Sequence, residues 1–400
     1  MFKLISMSKR IQPILCVGAL LLSGCSSSLP EIHIFKTYTS EDKLLLIDTW
    51  LKDLSTQKQF NGAILIAMNG RVDLINTYGY SDPARTNPLT LESSFRLASV
   101  SKQFTAMAIM IMKERGQIKF DDPVQKHLPE FPYSDVTIRH LLTHTSGISE
   151  YEKLVLKFKN KWSTRSFYIT GQSWENRVYK GEPSQYRDSH DILSMKDVLD
   201  LVVRFKDERK FPAGEKFKYS NTGYVLLAYL VEQVSGQSFE SFLDQEIFEP
   251  LNMQNSSVWN LNTSPGKLPN RVQGTNKKKL NDYTWLDGVA GDGAVFVSIE
   301  DFINWDRGLA NRTLVSDSTF SEAISPYVTT KGDTSYYGFG WNLSKDGKVM
   351  DHTGGWVGAL TYIYINPESG MLFVLLDSST NRNMKKIRKT IGDVLAGKLK

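Results

Sequence analysis

Four hundred residues, 41% hydrophobic, 23% charged and 11% aromatic, make a chain able to bury a sizeable core, with no low-complexity tract that favours disorder. The formal charge is +5, but residues 1–24 carry three of the cations and no anion, so the remainder stands near +2. That balance gives no electrostatic reason to expect a nucleic-acid partner.

The chain opens with a basic stretch (Lys3, Lys9, Arg10) and a short apolar run, Ile14 to Leu22. About nine residues fall far short of the roughly 20 a membrane-crossing helix needs, so the run predicts a signal peptide over 1–24. It ends in Leu22-Ser23-Gly24-Cys25, followed by Ser26, Ser27 and Ser28. This junction resembles the lipobox of bacterial lipoproteins, in which the cysteine is acylated and becomes the mature N-terminus. The alternative is a chance cysteine in a conventional cleavage region. The only other cysteine is Cys16, inside the apolar run, so a chain starting at Cys25 has no disulfide and no thiolate metal site. The resemblance implies a membrane partner through a lipid anchor, and the serine after the cysteine implies the periplasmic face of a Gram-negative outer membrane.

Residues 25–38 predict an extended tether. The segment 40–58 then predicts a helix with Ser40 as cap, acidic residues in the first turn and apolar residues at helical spacing. Two β-rich runs, 62–70 and 72–80, meet at Asn69-Gly70, a strong hairpin signal. From Ser99 to about Leu261 the pattern is mostly helical. Strands return at 336–343, 358–367 and 371–379, with a turn at Asn366–Gly370, and a helix over 384–399 closes the chain. Sheet segments at both ends around a helical middle predict an α+β fold: one antiparallel sheet flanked by helices from both termini, with a mostly helical part inserted. The expected single catalytic domain spans 39–400, with sheet at about 39–95 and 285–400 and helices at about 96–284.

Ser-x-x-Lys, in which an amine can activate a hydroxyl, occurs five times, starting at Ser6, Ser40, Ser55, Ser99 and Ser264. Ser6 lies in the signal peptide, Ser40 reads as a cap, Ser55 ends the same helix, and Ser264 precedes a Pro-Gly turn. Ser99 differs. Phe104 to Met112 is apolar around nearly the whole helix, broken only by Thr105, which predicts a buried central helix. Ser99 heads it, and Lys102 lies one turn on, on the same face. A capping serine with a solvated lysine is equally compatible with this stretch alone.

Two further constellations tip that balance. Tyr219-Ser220-Asn221 stands at a loop-to-helix junction shaped by Pro212 and Gly214, and His352-Thr353-Gly354-Gly355 leads into a strand. A cap with a packed aromatic, and a glycine turn with an exposed histidine, are the plain alternatives. Ser-x-x-Lys, Tyr-x-Asn and [His/Lys]-Thr-Gly in that order resemble the class C β-lactamase and low-molecular-weight penicillin-binding protein group. The resemblance covers about residues 42–398 and includes the phrases FRLASVSKQFTA, HLLTHTSGI, FPAGEKFKYSNTGY and GDGAVFVS.

It implies a β-lactamase/transpeptidase-like fold and acyl transfer through a covalent ester, with no cofactor and no metal. By resemblance, Ser99 is the nucleophile, Lys102 its base, and Tyr219 a partner in proton transfer. Asn221 holds the substrate amide, the N–H groups of Ser99 and Gly355 form the oxyanion hole, His352 orients the catalytic tyrosine and the substrate carboxylate, and Thr353 and Gly354 complete the substrate-binding strand. His144 with Ser146 belongs, by the same resemblance, to a structural loop. No Gly-x-Ser-x-Gly elbow and no phosphate-binding loop occurs. The chain departs from β-lactamases at His352, where they carry lysine; histidine is similar to D,D-carboxypeptidases, D-amino-acid peptidases and esterases. It also departs in a long aromatic and basic segment, 148–211, that either covers the cleft or is a solvated loop. The expected substrate is a D-amino peptide, an ester or a β-lactam-like molecule. The expected function is an envelope peptidase or esterase; a non-catalytic binding protein of the same fold and a weak β-lactamase are the alternatives.

Overall fold

The computed structural model describes residues 29–32, 37–157, 192–262, 268, 270–276, 279–381 and 383–398. The signal peptide, Cys25 and most of the long 148–211 segment lie outside the described residues. The chain divides into two units, Met1–Glu31 and Ile32–Lys400. The second carries the fold described below.

Helix Ser40–Thr56 leads into strands Gly62–Met68 and Arg71–Tyr78. The helix cap is Thr39 rather than Ser40: the Thr39 hydroxyl accepts the Asp42 N–H, and Asp42 bonds back to the Thr39 N–H, a capping box shifted one residue from expectation. The hairpin turns at Asn69 (φ 50°) and Gly70 (φ 75°), the left-handed pair that a tight two-residue turn demands.

Six strands form one antiparallel sheet in the order Asn342–Leu343, Met350–Trp356, Ala359–Asn366, Met371–Asp377, Gly62–Met68, Arg71–Tyr78. The N-terminal strand lies beside the last, with Gly62 opposite Asp377 and Met68 opposite Met371, so both chain ends build the sheet. Alternation sends Leu65, Ala67, Ile363, Leu372, Val374 and Leu376 into the main core. The closing helix is Met384–Leu395.

The run expected as a strand over 336–343 joins the sheet only at Asn342–Leu343, with Tyr337 folding back as a single bridge to Asn342. Gly340 turns there with φ 82°, and a Cβ on it would stand 2.7 Å from Gln103 Cα, so the chain bends to lie against the start of the Lys102 helix. Conversely, His352-Thr353-Gly354-Gly355 lies within strand Met350–Trp356 rather than leading into one. Gly354 faces inward, where a Cβ would stand 2.2 Å from both the Leu97 carbonyl and Thr361 Oγ1. Gly354→Ala should therefore destabilise the fold by about 1–3 kcal/mol; an unchanged denaturation midpoint in urea would contradict that packing.

Candidate active site

Leu97 to Ser101 forms a tight turn, with a 3₁₀ segment at Ala98–Ser101, from which helix Lys102–Glu114 continues. Ala98 has φ 49°, unusual for a residue with a Cβ, and sets the backbone entering Ser99. Every residue from Lys102 to Met112 is buried, so the apolar helix predicted from Phe104 extends back over Lys102 itself. Burying an amine costs several kcal/mol unless its hydrogens are satisfied. Here Lys102 Nζ donates to Ser99 Oγ (3.2 Å), Asn221 Oδ1 (2.9 Å) and the Asp292 carbonyl (2.7 Å). These three acceptors equal the number of hydrogens on an ammonium. The snorkelling alternative for Lys102 does not hold.

Asn221 opens helix Asn221–Ser235, but its side chain does not cap the helix. Oδ1 accepts from Lys102 and Nδ2 donates to Glu152 Oε1 at 2.9 Å, while its backbone N–H donates to Glu150 Oε2 at 2.9 Å. Tyr219 packs its ring 5.0 Å from Lys102 Nζ, and its hydroxyl is buried with no hydrogen-bond partner among the described residues. A buried phenol with no partner, on a ring whose face meets the Lys102 amine, is the one polar group of this cluster that the fold leaves unsatisfied among those named above.

His352 is buried. Its Nε2 accepts from the Tyr337 hydroxyl at 3.0 Å, and its Nδ1 meets the Thr353 carbonyl at 2.8 Å. Burial, with the Lys102 charge adding to it, lowers its pKa to about 3, so the imidazole is neutral near pH 7. Thr353 and Gly355 point to the opposite, exposed side of the strand from His352. Gly355 lines a cavity of about 170 Å³ together with Ser99, Asn221, Glu152, Asp292 and Trp356. The structure thus brings Ser99, Lys102, Tyr219, Asn221 and the His352 strand together from three separated stretches. Cys25 lies outside the described residues.

The acidic members of this cavity were not legible in the sequence. Burial, with Glu150 nearby, pushes Glu152 up to about 7. Burial pushes Asp292 up to about 7 although the Lys102 charge opposes it, and Asp292 Oδ2 accepts from the Tyr151 hydroxyl at 3.2 Å. At the far end Asp287 pairs with Arg96 at 2.5 Å and accepts from Trp356 Nε1 at 3.0 Å. Glu150, Tyr151 and Glu152 follow the HLLTHTSGI phrase directly, and Asp292 lies inside GDGAVFVS. Those phrases marked the neighbourhood, yet nothing in residue type or spacing separated these carboxylates from surface ones.

A serine in hydrogen-bond reach of a buried lysine, at the head of a core helix flanked by an antiparallel sheet, is the architecture of acyl-enzyme serine hydrolases. The family model described as Beta-lactamase matches residues 47–398, and the chain belongs to that family. It is 31% identical over 375 residues to penicillin-binding protein 4* of Bacillus subtilis, covering 89% of this chain and 77% of that one. The putative penicillin-binding protein PbpX of the same organism is 26% identical, with 86% of this chain and 76% of that one covered. Among solved structures, a penicillin binding protein from Bacillus halodurans superposes with TM-score 0.68 at 24% identity, covering 86% of this chain and 98% of that one. D-amino acid amidase from Ochrobactrum anthropi superposes with TM-score 0.66 at 20% identity, covering 90% and 98%; the two share this fold. The protein is a serine hydrolase of this family.

Proposed function

We propose that this hydrolase cleaves the amide bond of a D-amino residue that presents a free ammonium, forming an acyl-enzyme on Ser99. The observation that carries this reading is the charge of the cavity. Among the described residues lining it Arg96 is the one base, and Asp287 already holds it. Glu152 and Asp292 stand beside Ser99 as carboxyls that an incoming cation would ionise. A substrate carboxylate, as in a D,D-carboxypeptidase or a β-lactam, would find no free cation among the described lining residues: Arg96 is held by Asp287, and His352 is neutral and on the far face of its strand. The likeness to a D-amino acid amidase supports the D configuration.

In this reading Ser99 Oγ attacks the carbonyl carbon as its proton passes to Lys102 Nζ, which must enter the step as the free amine. The N–H groups of Ser99 and Gly355 hold the developing oxyanion. Tyr219 relays to the departing amine the proton that Lys102 took up, so that both return to their starting protonation, and Asn221 holds the substrate amide. Water then cleaves the ester. Thr353 and Gly354 belong to the strand along which the substrate lies. His352, held by Tyr337, is uncharged and packs on the buried face of that strand.

The test is a panel of D-alanine p-nitroanilide, its N-acetyl derivative, the L enantiomer, a D-Ala-D-Ala peptide and a chromogenic cephalosporin. The free-amine D substrate should exceed its N-acetyl form in kcat/KM by about 30-fold or more, the scale of one buried charge pair. Preference for the N-acetyl form or for the D-Ala-D-Ala peptide would overturn the ammonium assignment. The Leu22–Cys25 junction supports a lipid-anchored protein at the cell envelope. Cys25→Ala should then move the protein from the membrane fraction to the soluble fraction, and an unchanged distribution would refute the anchor.

A further inference from the structure

His144 stands outside the three motifs, yet it touches the Tyr219 segment at three points. Its carbonyl accepts the Lys218 N–H at 2.8 Å, and its Nδ1 accepts the Ser220 N–H at 3.0 Å. Its ring lies against the Tyr219 ring, centroids 4.1 Å apart at 36°. The two bonds fall on the residues either side of Tyr219, and the stacking falls on Tyr219 itself. His144 is 1% exposed and has φ 57°, a left-handed conformation that a side chain adopts at some cost. Because Nδ1 accepts, the hydrogen of the neutral ring sits on Nε2, which is buried and has no hydrogen-bond partner among the described residues. Ser146, the other half of the tempting Ser–His pair, uses its hydroxyl to accept the Ile148 N–H at 3.4 Å. These two residues form no nucleophile–base dyad.

The surroundings are equally specific. Tyr337 and Tyr224 close around the same imidazole, at 4.5 and 5.0 Å between centroids, and Tyr337 in turn holds His352. The Tyr219 hydroxyl has no bond of its own to fix it. The ring lies 5.0 Å from Lys102 Nζ, and its placement must therefore come from ring packing and backbone, both of which His144 contacts.

We infer that His144 is the positioning residue for the Tyr219 phenol, clamping residues 218–220 so that the ring stays against the Lys102 amine. The inference rests on the acyl-enzyme reading above. A backbone held by two hydrogen bonds and a ring held by stacking leave the phenol no rotation except about its own axis, which keeps its oxygen in place. An isolated tyrosine at a loop-to-helix junction has no such restraint, and displacement by about 1 Å at a proton-transfer group costs on the order of 100-fold in rate.

The test is a double-mutant cycle with Tyr219→Phe, which retains the ring and removes the hydroxyl. His144→Asn retains the left-handed backbone and an acceptor but loses the stacking face. His144→Phe retains the face and loses the acceptor. Turnover of D-alanine p-nitroanilide and of p-nitrophenyl acetate is followed, with circular dichroism and thermal melts to establish folding. Each His144 variant should lose about tenfold or more in kcat with KM within about twofold, and lose less than about twofold when Tyr219→Phe is already present. Either folded variant suffices for the cycle. Equal losses with and without the Tyr219 hydroxyl, or full kcat in either folded His144 variant, would overturn the clamp. Ser99→Ala separates the two ideas. Turnover surviving there would remove the acyl-enzyme reading and the clamp with it, whereas turnover lost there with additive His144 effects would remove the clamp alone.

Discussion

Ser99→Ala should lower turnover of every acyl substrate by roughly 10⁴-fold or more, the scale seen when the nucleophile of a serine hydrolase is removed. The same change should abolish covalent labelling by a fluorophosphonate, read as the loss of an adduct mass. The fold should survive it. Ser99 is half-buried, and Lys102 Nζ keeps two of its three acceptors, Asn221 Oδ1 and the Asp292 carbonyl. The melting temperature should therefore move by only a few degrees while activity disappears. A folded variant retaining more than about one hundredth of wild-type turnover would reject Ser99 as nucleophile. Wild-type protein that takes up neither a fluorophosphonate nor a fluorescent penicillin would favour a non-catalytic binding protein of the same fold.

The second large effect is on pH dependence. Glu152 and Asp292 are pushed up to about 7, chiefly by burial, so both are largely protonated at pH 6 and ionised at pH 8. Pairing with a substrate ammonium needs the ionised form. The kcat/KM of a free-amine substrate should rise as pH climbs from 6 to 8, and this limb should be absent for the N-acetyl substrate. Glu152→Gln should shrink the limb to the share that Asp292 carries and weaken the free-amine substrate by about 30-fold or more, sparing the N-acetylated one. An identical profile for both substrates would eliminate the ammonium subsite.

Linkage gives a second sign to check. Folded pKa values above the unfolded ones mean that the folded chain binds more protons. The stabilising contribution is full below the ordinary carboxyl range near 4 and is lost as pH rises through about 7. Glu152→Gln, which cannot ionise, should gain stability relative to wild type between pH 5 and 8. A relative loss over that window would mean that the carboxylate is stabilised in the fold.

Much of the fold was legible because local chemistry determined it. Asn69-Gly70 permits little but a tight hairpin, and Phe104–Met112 can be accommodated only as a buried helix. The antiparallel sheet built from both ends followed from the same patterning. Local signals failed where a distant backbone intervened. The 336–343 run has strand composition, but Gly340 must turn to pass Gln103, so the run folds back on itself and only Asn342–Leu343 joins the sheet. At the first helix Thr39 and Ser40 are both good caps, and the position of Asp42 three residues after Thr39 selects Thr39.

The sequence by itself determined which groups can do chemistry. Ser99, Lys102, Tyr219, Asn221 and His352 stand out because five residue types in three ordered motifs rarely coincide by chance. Only the tertiary structure decided how those groups are charged and aimed, because charge and aim depend on what burial removes from water. Lys102 is held at Ser99 by Asn221 and the Asp292 carbonyl, groups 119 and 190 residues further along the chain. Glu152 and Asp292 look like any surface carboxylates until folding half-buries them near that amine, and His144 looks like a loop residue until its ring comes to rest on Tyr219. Ser-x-x-Lys occurs five times in this chain, and the fold sets the copy at Ser99 between a buried amine and two carboxylates displaced toward neutrality.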